Sequence, residues 1–182
     1  MVTENGHYIA SSDDALLRRV AGGDQRAFAQ LYDRFSDRLF IYCCRLVGDR
    51  DVGKDALQDA LIKIYQNAAQ YQPGTNATAW VFRLTRNVCI DMLRSRREFD
   101  DIEDLPLSEE ERTPDVLLQD ALTEEIEKLP AIYREAVVLR DVQGHSYEEI
   151  ASIVDVPLST VKFRIFKARE TLRRRLVHYL ND

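Results

Sequence analysis

The chain has 182 residues, of which 45% are hydrophobic and 31% charged, and its formal net charge is −6. This length suits one ordinary domain or two small ones, and no apolar run approaches the ~20 residues that a membrane-spanning helix needs. The N-terminus has neither the basic start nor the apolar segment of a signal peptide. We therefore expect a cytoplasmic protein without membrane insertion.

The negative charge is concentrated in one segment. Thirteen acidic residues and a single basic residue, Arg112, lie between Glu98 and Glu127, so this segment carries about −12 and the rest of the chain is net positive. Because the distribution of charge decides which partners a surface can bind, the acidic total does not exclude a nucleic-acid partner.

Residues 12–97 show helical periodicity. Apolar side chains from Phe28 to Leu46 recur at three- and four-residue steps, with Asp24 as the predicted N-cap of this helix and Gly48 as the residue that ends it. Two more helices are predicted over about 51–71 and 78–96. The loop between them, YQPGTNAT, is rich in turn-forming residues.

Residues 98–120 interrupt the helical pattern. This stretch is acidic and contains two prolines, which predicts a flexible linker. Residues 1–11 are predicted to be disordered, and helical periodicity returns over 121–182. The sequence thus predicts an all-α protein with two small helical domains, 12–97 and 121–182, joined by a flexible acidic linker.

The second domain contains a predicted helix-turn-helix. Ser146 and Glu149 have capping-box spacing at the start of a short helix, and Pro157 prevents that helix from continuing. Ser159 is the predicted cap of the next helix. The apolar seam of that helix consists of Val161, Ile165, Ala168, Leu172 and Leu176.

Away from this seam the second helix is basic and carries two aromatic side chains, Phe163 and Phe166. In a helix-turn-helix the second helix enters the major groove, where basic side chains neutralise phosphates. A solvated charged face, or a surface for an acidic protein, is the simpler interpretation of a lone basic helix. The capping box, the proline turn and the buried seam in register favour DNA binding.

Two blocks identify a family resemblance. DVGKDALQDALIKIYQ followed by TAWVFRLTRNVCIDMLRSRR resembles region 2 of bacterial sigma factors, and LPAIYREAVVLRDVQGHSYEEIASIVDVPLSTVKFRIFKAR resembles region 4. The order of the blocks and the short linker between them are similar to those of the extracytoplasmic-function (ECF) group. The resemblance implies an RNA polymerase sigma factor that recognises promoters.

The resemblance also implies partners and site residues. The partners are core RNA polymerase (through the clamp helices of its largest subunit and its flap), promoter DNA and an anti-sigma factor. The implied core-binding residues are Asp55, Gln58, Asp59 and Ile62. The implied −10 contacts are Tyr71, Thr75, Asn76, Arg83, Arg86, Asn87, Arg94, Arg96 and Arg97. The implied −35 contacts are Ser159, Thr160, Lys162, Phe163, Arg164, Phe166, Lys167 and Arg169.

The chain departs from the family pattern at three positions. Ala77 stands where an aromatic residue is common, Asp155 where glycine is common in the turn, and Phe163 where a small residue is common. We therefore expect a promoter preference that differs from that of better-known members. Trp80 matches the family's tryptophan, and its place on an apolar stripe favours a core position over a base-stacking one.

No catalytic or metal-binding pattern is present in the sequence. The three histidines are dispersed, and Cys43 and Cys89 are interpreted as buried structural thiols. We expect no metal, no cofactor and no enzymatic activity. A stand-alone helix-turn-helix regulator is the main alternative to a sigma factor, and a protein-binding module is the third, although it leaves the paired basic helices unexplained.

Overall fold

The computed structural model describes residues 12–99 and 114–180, with side chains over 12–95 and 121–177. Within these ranges the secondary structure is helical throughout, without strands, as predicted. None of the described helices combines the length and the apolar character needed to cross a bilayer.

The N-terminal domain consists of four helices. They are α1 (Asp13–Ala21), α2 (Gln25–Val47), α3 (Arg50–Asn67) and α4 (Ala77–Phe99). The predicted ends of α2 are confirmed, because the Asp24 carboxylate accepts hydrogen bonds from two backbone N–H groups and Gly48 adopts the left-handed conformation. α3 ends four residues earlier than predicted, and the chain continues into a short 3₁₀ turn, Ala68–Gln70.

Helices α2 and α3 approach each other closely at Gly53. A β-carbon at this position would lie 2.5 Å from Cys44 Sγ and 2.9 Å from Cys44 Cα. Cys43 and Cys89 are fully buried, as predicted for structural thiols, with Cys43 on α2 and Cys89 on α4. The core of this domain is therefore tightly closed around the pair α2 and α3.

The C-terminal domain also consists of four helices. They are α5 (Pro114–Glu127), α6 (Ala131–Val137), α7 (Tyr147–Val154) and α8 (Leu158–Leu180), and a π-helical turn, Val138–Val142, follows α6. α5 begins inside the segment that the sequence predicted to be linker, so the linker boundary at residue 120 is wrong. Residues 100–113 of the predicted linker, and residues 1–11, lie outside the described residues.

The helix-turn-helix is formed by α7 and α8. The predicted capping box is present, since Ser146 and Glu149 exchange side-chain and backbone hydrogen bonds. Asp155 occupies the left-handed turn position with φ 54°. The predicted cap at Ser159 is wrong: α8 starts one residue earlier, and the Pro157 carbonyl accepts its first backbone hydrogen bonds.

The two domains pack against each other. α4 of the N-terminal domain contacts α7, α2 contacts α6, and one cluster of buried side chains runs through both domains. The sequence predicted two domains held together by a tether, and it gave no indication of this interface. The packing covers one side of α4, which matters for the site described next.

Candidate polymerase and DNA interfaces

An open groove of about 400 Å³ lies between α3 and α4. Its lining combines apolar side chains with acidic ones on the rim: Val52, Val88 and Met92 are apolar, and Asp55, Asp59 and Asp91 are acidic, together with Lys63 and Ser95. Lys63 lies 3.7 Å from Asp91. Within the part of the chain that the structure describes, no basic side chain pairs with Asp55 or Asp59, so both carboxylates are available to a partner.

The four residues expected to bind core polymerase are all exposed on α3. Asp55 and Asp59 line the groove, whereas Gln58 and Ile62 lie outside it. Ile62 is 46% exposed, which is high for a large aliphatic side chain. These four side chains thus form an acidic surface with an apolar element beside the groove.

The loop before α4 is held in place by α1. Asp14 Oδ1 accepts hydrogen bonds from the Gly74 backbone N–H at 2.8 Å and from the Tyr71 hydroxyl at 2.9 Å. The Gly74 N–H and then the Arg18 guanidinium lower the pKa of Asp14 to about 2. The sequence gave no signal for this anchor, because Asp14 is one of two adjacent acids that simply suit a helix N-terminus.

Tyr71 was expected to contact DNA, and this prediction is wrong. Its side chain is only 5% exposed, and its ring packs edge-on against Trp80 with centroids 5.6 Å apart. Trp80 packs partly buried against the core, in agreement with the core interpretation. The apolar stripe of α4 draws both rings inward, so Tyr71 shapes the loop and does not present a surface for a base.

The remaining loop residues and the polar strip of α4 reach the surface. Thr75, Asn76, Arg83, Asn87 and Arg94 are exposed. Arg83, Asn87 and Arg94 form one strip, because separations of four and eleven residues are close to whole helical turns. The side chains of Arg96 and Arg97 lie outside the described residues.

Arg86 is turned toward the C-terminal domain. Its Nε donates a hydrogen bond to Glu135 Oε1 at 2.7 Å, and the Tyr42 hydroxyl donates to the same oxygen at 2.9 Å. Glu135, on α6, is only 5% exposed. Burial opposes the positive charge, but Glu135 outweighs it and raises the pKa of Arg86. Sequence reasoning missed Glu135, because its role depends on the packing of the two domains.

His145 is a second buried group at this interface. Its ring lies edge-on to Phe82 of α4 with centroids 4.5 Å apart, and its side chain is 2% exposed. Burial lowers the pKa of His145, the charge of Arg38 lowers it further, and Glu149 opposes both effects. The interface therefore favours the neutral imidazole.

α8 presents its basic face to solvent. Lys162, Phe163 and Phe166 are exposed, the two rings at 53% and 62%. Lys167 lies 2.8 Å from Glu170, and the Arg169 guanidinium bonds both carboxylate oxygens of Asp141. Ser159 is exposed in the first turn of α8, and Thr160 and Arg164 are partly exposed. The predicted seam is confirmed, since its first four members are buried.

Comparisons with known proteins identify this architecture. The family description Sigma-70 region 2 matches residues 31–99, and Sigma-70, region 4 matches residues 119–172. The ECF RNA polymerase sigma factor SigW of Bacillus subtilis is 31% identical over 176 residues, covering 88% of this chain and 94% of SigW. The ECF RNA polymerase sigma-E factor of Escherichia coli K12 is 32% identical, covering 88% of this chain and 92% of that protein.

Solved structures agree with these matches. CnrH in complex with the cytosolic domain of CnrY is similar with a TM-score of 0.71 and 26% identity, covering 91% of this chain and 97% of that one. The sigma factor RpoE in complex with the anti-sigma factor NepR, from Bartonella quintana, has a TM-score of 0.73 and 26% identity, covering 82% and 96%. The chain belongs to the ECF sigma factors, which are transcription initiation factors, and the alternative of a stand-alone regulator is not favoured.

Proposed function

We propose that this sigma factor binds core RNA polymerase through the groove between α3 and α4, and places α4 and α8 on the −10 and −35 promoter elements. The observation that supports this most directly is the division of α4 into two faces. Val88 and Met92 line the groove, whereas Arg83 and Arg94 lie on a separate exposed strip. One helix can therefore contact a polymerase helix and DNA together.

The groove fits a basic amphipathic helix. Apolar side chains of such a helix would pack on Val52, Val88 and Met92, while its lysines or arginines would pair with Asp55 and Asp59. Gln58 and Ile62 extend the contact beyond the groove. The clamp helices of the largest polymerase subunit are the partner that the family implies, and the polymerase flap is the one implied for the C-terminal domain.

The exposed strip of α4 suits melted −10 DNA. Arg83 and Arg94 would hold phosphates, and the loop with Thr75 and Asn76 would receive an unstacked base. Arg96 and Arg97 continue the basic sequence toward the end of α4, and Arg86 joins them when its carboxylate partner leaves. Residues 12–97 thus correspond to region 2 in function.

The exposed face of α8 suits duplex DNA at the −35 element. Ser159, Thr160 and Lys162 occupy the first turns, which in a helix-turn-helix lie nearest the base edges. Phe163 and Phe166 can contact thymine methyl groups. Arg164, Lys167 and Arg169 can exchange local contacts for phosphates. Residues 121–182 thus correspond to region 4.

Two solved relatives are bound to CnrY and to the anti-sigma factor NepR. By analogy, we propose that an anti-sigma protein controls this chain as well. The proposed place of action is the bacterial cytoplasm, at the nucleoid when the protein is bound to polymerase.

Transcription in a purified system tests the function. Core RNA polymerase, this protein and a library of random promoter DNA should yield transcripts that start at defined sequences, and neither protein alone should yield them. Tight, sequence-specific DNA binding without polymerase, together with no transcripts, would instead identify a stand-alone regulator.

A further inference from the structure

The contacts between the two domains centre on a single buried carboxylate. Both Glu135 oxygens bind groups of the N-terminal domain: Oε1 accepts from Tyr42 and Arg86, and Oε2 accepts from Arg86 at 3.3 Å. No described hydrogen bond joins this carboxylate to its own domain. A buried charge requires such partners, so Glu135 stabilises the packed arrangement specifically.

Polar contacts surround this carboxylate. Arg38 and Gln143 exchange hydrogen bonds, with the Gln143 amide donating to the Arg38 carbonyl at 3.1 Å. The Asn76 amide donates to Glu149 Oε1 at 2.8 Å. Water can satisfy all of these groups when the domains separate. An interface of this polar kind is suited to reversible opening.

The groups held by this interface overlap with the proposed −10 contacts. Glu135 occupies Arg86, and Glu149 occupies the amide of Asn76. Each carboxylate of the C-terminal domain thus takes the place that a DNA phosphate or base would take. The acidic groove and the exposed α8 side chains Lys162 and Phe166 are not covered in this way.

We propose that the contacts of Glu135 with Tyr42 and Arg86 form an autoinhibitory latch, which keeps the −10 surface closed until the two domains separate. The latch blocks α4 for DNA but leaves the polymerase groove accessible. Polymerase can therefore bind the closed protein first, and DNA at α4 requires opening. This inference rests on the proposed function of α4, and its test separates the two.

A reversible covalent lock tests the latch directly. Cysteines replace Arg38 and Gln143, which lie side by side across the interface, in a Cys44→Ser background, and a short cleavable bis-thiol reagent joins them. We expect the linked protein to bind core polymerase but to lose transcription initiation, and cleavage of the linker to restore it. The Arg38→Cys single variant treated with the same reagent is the control.

The outcomes are distinct. Full initiation by the linked protein would overturn the latch. Failure of the cleaved protein and of the single variant to initiate, although both bind core polymerase, would contradict the proposed function itself and remove the basis of the latch.

A charge-matched pair of variants tests the same idea without a lock. Glu135→Gln removes the buried charge, whereas Glu148→Gln removes an exposed charge of the same domain. Because the apparent affinity scales with the open fraction, Glu135→Gln should bind a mixed-sequence single-stranded oligonucleotide on the order of tenfold more tightly. Glu148→Gln should change it by less than about twofold. Equal affinities would overturn the latch.

Tyr42→Phe provides a second variant. It removes one hydrogen bond to Glu135 but keeps the ring that packs against Phe82 with centroids 5.4 Å apart. We expect a smaller rise in oligonucleotide affinity than for Glu135→Gln, with unchanged helical content by circular dichroism. No rise in a variant that remains folded would contradict the role of this hydroxyl.

Discussion

Gly53 of α3 faces the backbone of Cys44 of α2 so closely that a β-carbon would lie 2.9 Å from Cys44 Cα and 3.0 Å from its nitrogen. Such distances require one helix to move, because backbone atoms cannot rotate away as the end of a side chain can. The contact fixes the spacing of α2 and α3, and therefore the position of the acidic groove.

Gly53→Ala should lower the free energy of unfolding by about 1–3 kcal/mol, as overpacking does. The intrinsic helix propensity of alanine acts in the opposite direction, by about 1 kcal/mol. Thermal and urea unfolding measure the sum, with Lys54→Ala, at an exposed neighbour, as the control. A stabilising effect of Gly53→Ala would show that the two helices are not in this close contact.

The groove gives a prediction about polymerase binding. Asp55→Lys with Asp59→Lys should reduce co-elution with core polymerase by at least tenfold, because two basic residues would repel a basic helix. Asp33→Lys with Asp37→Lys is the matched control, since these acids are also exposed and four residues apart on α2. If both double variants lost binding equally, total charge and not the groove would be responsible.

The −35 surface gives a prediction about sequence dependence. Lys162→Ala should cost roughly 1–3 kcal/mol of binding to promoter DNA and relax the preference at one position of the −35 element. Arg173→Ala should weaken binding uniformly and lower the slope of log affinity against log salt by about one. Binding titrations at several salt concentrations measure both. Identical losses on specific and random DNA for Lys162→Ala would exclude base reading by this residue.

The anchor of the −10 loop predicts an acid-dependent change. Because the pKa of Asp14 is lowered to about 2, its contribution to loop stability is complete above the usual value of 3.8 and is lost as the pH falls toward 2. Asp14→Asn should raise the exchange rate of the Gly74 amide hydrogen at neutral pH, since a neutral oxygen accepts more weakly. An unchanged rate would mean that the Gly74 N–H is held by another group.

His145 predicts a pH dependence of domain closure. Its pKa in the closed form is lowered by burial and by Arg38 of α2, against Glu149 of α7, while the neutral Phe82 ring of α4 completes its surroundings. The stability that neutral His145 allows is present above its usual pKa of 6.5, and it is lost as the pH falls through the lowered value.

Titration of the His145 ring by NMR measures this effect. We expect a pKa below 6.5 in the natural protein and a value nearer 6.5 in Glu135→Gln, where the domains separate more often. A pKa of 6.5 or above in the natural protein would contradict the burial of this ring.

Several elements could be predicted from the sequence because local interactions determine them. Asp24, Gly48 and the Ser146–Glu149 capping box mark helix ends through hydrogen bonds that span only a few residues. The seam of α8 follows from helical periodicity in the same way. The linker boundary could not be predicted, because an acidic segment with a proline at its start is compatible with both a linker and the first turns of α5.

The amino-acid sequence by itself determined the helices, the two domains and the family, since the patterns that encode them are local and ordered along the chain. Only the tertiary structure decided that Tyr71 is buried, that Asp14 holds the loop, and that Glu135 occupies Arg86. These contacts join residues 49 to 60 positions apart, or bury a ring that a loop could equally expose. Their free energy depends on the packing of whole helices, which no local pattern records.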